Sequence, residues 1–217
     1  LMQNYLMSFI SVLIITGSLL TLISLNNAYD VIHLYVSLIA VLMTFCFLKE
    51  ATLITRGKQL SKLYGPLRIA LVFSFLAGLL PLAIKGIVPV SPQYLWLSSI
   101  VIITLIVYLI SRLVNVLHIT QKNYKVGIYI ITILALLPTA FSPAIPGAVL
   151  IIVLSYMINY KTGAVIGVVS FLYFLVQFYY DLNYTLLTKS VLLFSTGILF
   201  IILYMCIHKK LAVNEKV

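Results

Sequence analysis

VGIYIITILALLPTAFSPAIPGAVLIIVLSYMINY, residues 126–160, is apolar along nearly its whole length and is interrupted at Leu137-Pro138-Thr139-Ala140-Phe141-Ser142-Pro143-Ala144-Ile145-Pro146-Gly147. A helix rises about 1.5 Å per residue and the hydrocarbon of a bilayer is about 30 Å thick, so one crossing takes about 20 residues. The stretch is too long for one crossing. Its interruption has the chemistry of a helix start, with Ser142 suited to cap and Pro143 suited to the first helical position, where a missing N–H is no loss. Two helices are predicted, near 126–141 and 143–160. Paired short half-helices of a re-entrant hairpin would fit the same pattern.

Applied to the rest of the chain, the same criterion predicts helices near 5–25, 31–48, 67–84 and 93–111 before this stretch, and 163–181 and 184–207 after it. The expected fold is all-α: a polytopic transmembrane helical bundle of about eight helices, forming a single transmembrane domain over 1–217. Composition agrees. Hydrophobic residues are 63% and charged residues 8% of the 217 positions, against about 45–50% and 25% in soluble domains. Helices that face lipid can be apolar all round, whereas a soluble surface cannot. A β-barrel would need polar and apolar residues to alternate over about ten positions per strand, and the runs here are continuous. The chain opens on Leu1, so an N-terminus extending further in the natural protein is expected.

The net charge of +10 falls between the apolar runs, which is the pattern of a topology signal rather than of a nucleic-acid face, and no nucleic-acid partner is expected. Lys and Arg concentrate in cytoplasmic loops. With the first loop outside, the inner segments carry Lys49, Arg56, Lys58, Lys62, Arg68, Arg112, Lys122, Lys125, Lys161, Lys209, Lys210 and Lys216, and the outer ones only Lys85 and Lys189. Both termini are therefore expected in the cytoplasm. The polar connection Lys49–Pro66 reads as a solvated loop, or as a short interfacial helix on the anionic inner leaflet.

No predicted helix has Asp, Glu, Lys or Arg at its centre, which disfavours ion-coupled transport. His33, His118 and His208 lie at unrelated positions, so no metal site and no cofactor is expected. No catalytic constellation is found: there is no His-Glu-x-x-His pair, no Gly-x-Ser-x-Gly elbow and no phosphate-binding loop. Cys46 and Cys206 read as buried thiols. Gly163-Ala-Val-Ile-Gly167 has the Gly-x-x-x-Gly spacing that lets a neighbouring helix approach closely, an internal helix being expected there ahead of a second subunit. Tyr94 and Trp96 mark the outer end of the helix near 93–111, Tyr173, Phe174, Phe178, Tyr179 and Tyr180 crowd the outer half of the helix near 163–181, and Tyr156 and Tyr160 mark an inner end, as aromatic anchors do.

Phe178-Tyr-Tyr-Asp-Leu-Asn-Tyr-Thr-Leu-Leu-Thr-Lys-Ser190, followed by Phe194-Ser-Thr-Gly197 and preceded by Pro146-Gly147, resembles an uncharacterised bacterial family of multi-pass inner-membrane proteins, domain of unknown function 4401. The resemblance is strongest over residues 143–207. It implies a bacterial cytoplasmic membrane and an association with another membrane protein, and it implies no activity.

The candidate polar or binding residues are Asp181, Lys189, Asn183, Gln177 and Ser142. Asn183 is placed to cap the last helix. Asp181 and Lys189 either pair to close the last hairpin or leave Lys189 to contact an anion. The expected function is that of a non-catalytic membrane subunit or scaffold whose partners are the lipid bilayer and a second membrane protein. The alternative is a small-molecule or ion transporter with a polar site among Thr139, Ser142, Gln177 and Asn183. An intramembrane enzyme would need distant groups such as Asp30, His33 and Asp181 to meet in one pocket.

Overall fold

The computed structural model describes residues 2–50, 55, 58–84, 86, 88–89, 91, 94–117, 122–181, 187, 190–191 and 194. Among them are seven α-helices: α1 (Met2–Leu25), α2 (Val31–Leu48), α3 (Lys58–Ala83), α4 (Leu95–Val116), α5 (Lys122–Leu136), α6 (Ala144–Met157) and α7 (Lys161–Asp181). A 3-10 turn, Leu137–Phe141, joins α5 to α6. The predicted helix at 184–207 lies outside the described residues. Five helices, α1, α2, α3, α4 and α7, are long and apolar enough to cross a membrane.

The apolar runs become helices because lipid offers no partner to a backbone N–H or C=O, and a helix satisfies these groups internally. Hydroxyls in the helices follow the same rule: Thr44 donates to the Ala40 carbonyl at 2.8 Å and Thr104 to the Ile100 carbonyl at 2.7 Å. Two helices end on an asparagine in the left-handed region, Asn27 and Asn159, each with φ 52°. After each, the next N–H returns to a carbonyl five residues back, Ala28 to Ile23 at 3.1 Å and Tyr160 to Ser155 at 2.8 Å. This terminates a helix with its last carbonyls satisfied, using the one common residue besides glycine that tolerates the conformation.

Residues 1–178 form one compact unit, and residues 179–217 a second. In the first unit α3 packs against α1, α2 and α6, and α4 packs against α2 and α6. The core is built from Val36, Ile39 and Met43 of α2, Val72, Phe75 and Leu79 of α3, Ile102 and Ile106 of α4, and Ala148, Ile151 and Leu154 of α6. α2 and α1 differ sharply in role: 56% of the α2 span is buried inside the protein but only 6% of the α1 span, and 17% of the α7 span. α1 and α7 thus present apolar side chains outward. In lipid that exposure is no penalty, since the surrounding solvent is as apolar as leucine. Hydrogen bonds add specificity: Thr16 of α1 and Ser74 of α3 share one at 2.7 Å, and the Tyr35 hydroxyl of α2 donates to the Ser74 carbonyl at 3.2 Å. In the second unit the Tyr179 and Tyr180 rings meet edge to face at 5.9 Å.

Two expectations shift. α3 begins at Lys58, not near residue 67, so the second half of the polar connection is helical and Pro66 lies inside the helix. The segment KQLSKL has good helix formers but too little hydropathy to register as a span. At the break before α6, Pro143 (φ −61°, ψ −19°) takes the flanking position assigned to Ser142, and no side chain caps the helix. The main chain does this work instead, Ile145 N–H donating to the Ser142 carbonyl at 3.2 Å and Gly147 N–H to the Pro143 carbonyl at 3.0 Å. At about 21 Å long by its rise per residue, α6 is shorter than a full crossing, and nearly every residue from Ala144 to Leu150 is buried.

Candidate functional site

The predicted polar site is only partly within the described residues. Ser142 is buried at the start of α6, whereas Gln177 and Asp181 are half-buried near the end of α7. Lys189 and Asn183 lie outside the described residues, and with them the expected Asp181–Lys189 pair and the Asn183 cap. Thr139, offered for the transporter site, directs its hydroxyl to the Leu136 carbonyl at 2.6 Å.

The structure instead concentrates polar chemistry at two places in the first unit. One is where the N-terminal ends of α2 and α4 meet. Asp30 precedes α2, where the positive end of the helix dipole favours a carboxylate, and it accepts from the Ser91 N–H at 3.2 Å and the Ser91 hydroxyl at 3.3 Å. One turn further, His33 is 4% exposed, with Nδ1 3.0 Å from Ser98 Oγ. Ser98 Oγ also lies 3.3 Å from the Leu95 carbonyl. His33 Nε2 is buried without a partner. Asp30 and His33 both line an apolar cavity of about 460 Å³ together with Ser37, Tyr94, Leu97 and Val101.

Ser98→Ala is expected to lower stability by about 1–3 kcal/mol, the cost of leaving one buried polar group unpaired. It would be read as a lower thermal midpoint in detergent. An unchanged midpoint would mean the imidazole finds another partner.

The second place is at the opposite end of α2, beside the first turns of α3. Arg68 of α3 pairs with Glu50 at 3.6 Å, their side chains 18% and 28% exposed. The guanidinium carbon lies 3.7 Å from the centre of the Tyr160 ring and 5.5 Å from that of Tyr64. Tyr64 and Arg68 are one helical turn apart and so share a face. Tyr160 arrives from the other side because the Asn159 turn swings the chain back at the end of α6. Gly163 makes room for it: a Cβ there would strike the Tyr160 ring and come within 2.5 Å of Ser155 Oγ.

Arg68 faces both phenols, yet neither hydroxyl makes a hydrogen bond of good geometry. Four buried polar atoms here have no partner: Arg68 Nε, Tyr64 Oη, Tyr160 Oη and Ser155 Oγ. Burial pushes the Tyr160 phenol up, and the Arg68 guanidinium only partly offsets this. Tyr160 therefore remains a protonated donor at neutral pH.

Apolar helices facing outward and internally satisfied backbones define the class, a helical membrane protein. The chain belongs to the DUF4401 family, a domain of unknown function, whose match spans residues 1–210. The likeness expected mainly over residues 143–207 therefore extends along essentially the whole chain. No curated protein and no solved structure matches it.

Proposed function

We propose that the chain is a non-catalytic subunit or scaffold of the bacterial cytoplasmic membrane, with both termini in the cytoplasm, that works with a second membrane protein. The observation that supports this reading best is the solidity of the first unit's interior among the described residues. A transporter needs a polar, water-accessible path near mid-depth, whereas Val36, Met43, Phe75, Leu79, Ile106, Leu109, Leu150 and Leu154 are buried at the centre and close-packed. The cavities along α2 and α4 are apolar and open outward, lined by residues such as Leu34, Leu38, Leu42 and Phe45. The outward faces of α1 and α7 supply apolar surface for lipid and for a partner helix. The orientation rests on the distribution of Lys and Arg.

A pull-down from native membranes in mild detergent tests the proposal. A second membrane protein at fixed stoichiometry is the expected result. Recovery of the chain alone, with full stability, would contradict it.

A further inference from the structure

Asp30 sits immediately before the α2 span, and its carboxylate is exposed. It does not cap the helix. Instead one oxygen accepts from the Ser91 N–H and the other from the Ser91 hydroxyl. A carboxylate has about four lone-pair sites, so half of its capacity stays open. Among the described residues no Lys or Arg pairs with it, whereas Glu50 has Arg68.

This carboxylate stands at the head of an apolar groove. It lines the cavity of about 460 Å³ together with Tyr94 and with His33, whose Nε2 is buried and unpartnered. A second cavity of about 720 Å³ shares Leu34, Ser37 and Val101 with the first and continues along α2 to Phe45. Leu34, Leu38, Leu42 and Phe45 recur every three or four residues, so they form one stripe of α2, and all four are exposed. From Asp30 to Phe45 is about 22 Å by rise per residue, more than half of the roughly 30 Å of hydrocarbon. Both volumes fall within the range of about 300–1,000 Å³ of small-molecule sites. A helix about 10 Å across would displace about 1,700 Å³ over that length, so the groove suits a hydrocarbon chain better than a helix.

We propose that this groove seats a phospholipid with a primary ammonium headgroup, its ammonium on Asp30 and one acyl chain along Leu34, Leu38 and Phe45 between α2 and α4. Charge at one end and hydrocarbon along the rest are the complement of such a molecule. An ammonium forms a charge-assisted hydrogen bond with a carboxylate, and the Tyr94 ring in the same wall attracts a cation through its face. A headgroup without the ammonium leaves the Asp30 charge uncompensated. The site is independent of the subunit role and stands whether or not a partner protein is found.

The test is native mass spectrometry of the purified chain with phosphatidylethanolamine, N-acetylated phosphatidylethanolamine and phosphatidylglycerol of the same acyl chains. Phosphatidylethanolamine is expected to bind about tenfold more tightly than either of the others, as for a charge-assisted hydrogen bond. Asp30→Asn keeps the size and an oxygen for Ser91, and is expected to bring the three lipids to equal affinity. Leu34→Trp fills the groove where the two cavities meet, at a position 65% exposed and outside the core. It is expected to weaken phosphatidylethanolamine about tenfold, the effect of overfilling a packed site, with the thermal midpoint unchanged. Equal binding of the three lipids to the parent chain, which needs no variant to fold, would overturn the proposal. So would a preference for the amine that survives Asp30→Asn, or binding unaffected by Leu34→Trp. Equal lipid binding together with loss of a co-purifying membrane protein from Leu34→Trp would assign the groove to a partner helix and likewise overturn it.

Discussion

Gly167→Leu is expected to destabilise the protein by about 3 kcal/mol, the upper end of what overpacking costs. A Cβ on Gly167 would stand 3.1 Å from the backbone nitrogen of Ile152 and 2.8 Å from its Cγ1. The side chain could rotate away, but the backbone of α6 could not yield without moving α6 against α3 and α4. A leucine adds three further carbons in the same direction. The Gly-x-x-x-Gly spacing of Gly163 and Gly167 therefore serves the internal neighbour α6. Denaturation followed in mixed micelles would show the loss as an earlier midpoint. A variant as stable as the parent would mean that α7 does not lie so close to α6.

Phe75→Ala is expected to cost about 3–5 kcal/mol, the range for deleting a buried aromatic ring. Phe75 is 0% exposed, in the middle of α3. Its ring tip lies 3.3 Å from where a Cβ on Gly147 would sit, so the ring fills the space that this glycine leaves. In lipid the loss is mainly of packing contacts, because apolar surface gains little by leaving an apolar solvent. The same equilibrium unfolding measurement checks it, and Phe75→Leu should recover part of the loss. A cost under about 0.5 kcal/mol, the level of an ordinary surface change, would mean that α3 is not at the centre of the unit.

The helices were legible in proportion to how much of their length is apolar. α2 begins at Val31 and ends at Leu48, as read from the sequence, because Asp30 and Lys49 bracket an unbroken apolar run. The start of α3 lies about two and a half turns before the predicted one, since its first residues are polar and helical at once. The break near Ser142 was visible from Pro138 and Pro143, although the cap itself shifted by one residue. The sites were harder to see because they depend on packing. His33 looks isolated in sequence, and its partner Ser98 is 65 positions away, brought there by the contact of α2 with α4. Arg68 carried a topological signal only. Its stacking on Tyr160 depends on the left-handed turn at Asn159, and only the Tyr64–Arg68 spacing hinted that an aromatic neighbour was near.

A closed, dry interior in the first unit carries the proposed function, and thiol accessibility tests it directly. With Cys46 and Cys206 replaced by alanine, single cysteines are placed at Ala40 and Ala148, both 0% exposed, and at Asn27, which is exposed. In open membrane fragments a water-soluble maleimide should label Asn27→Cys readily, and Ala40→Cys and Ala148→Cys only after the protein is unfolded. Labelling of Ala40→Cys or Ala148→Cys in the folded protein at the rate of Asn27→Cys would reveal an aqueous path through the bundle and contradict the non-transporting subunit proposed here.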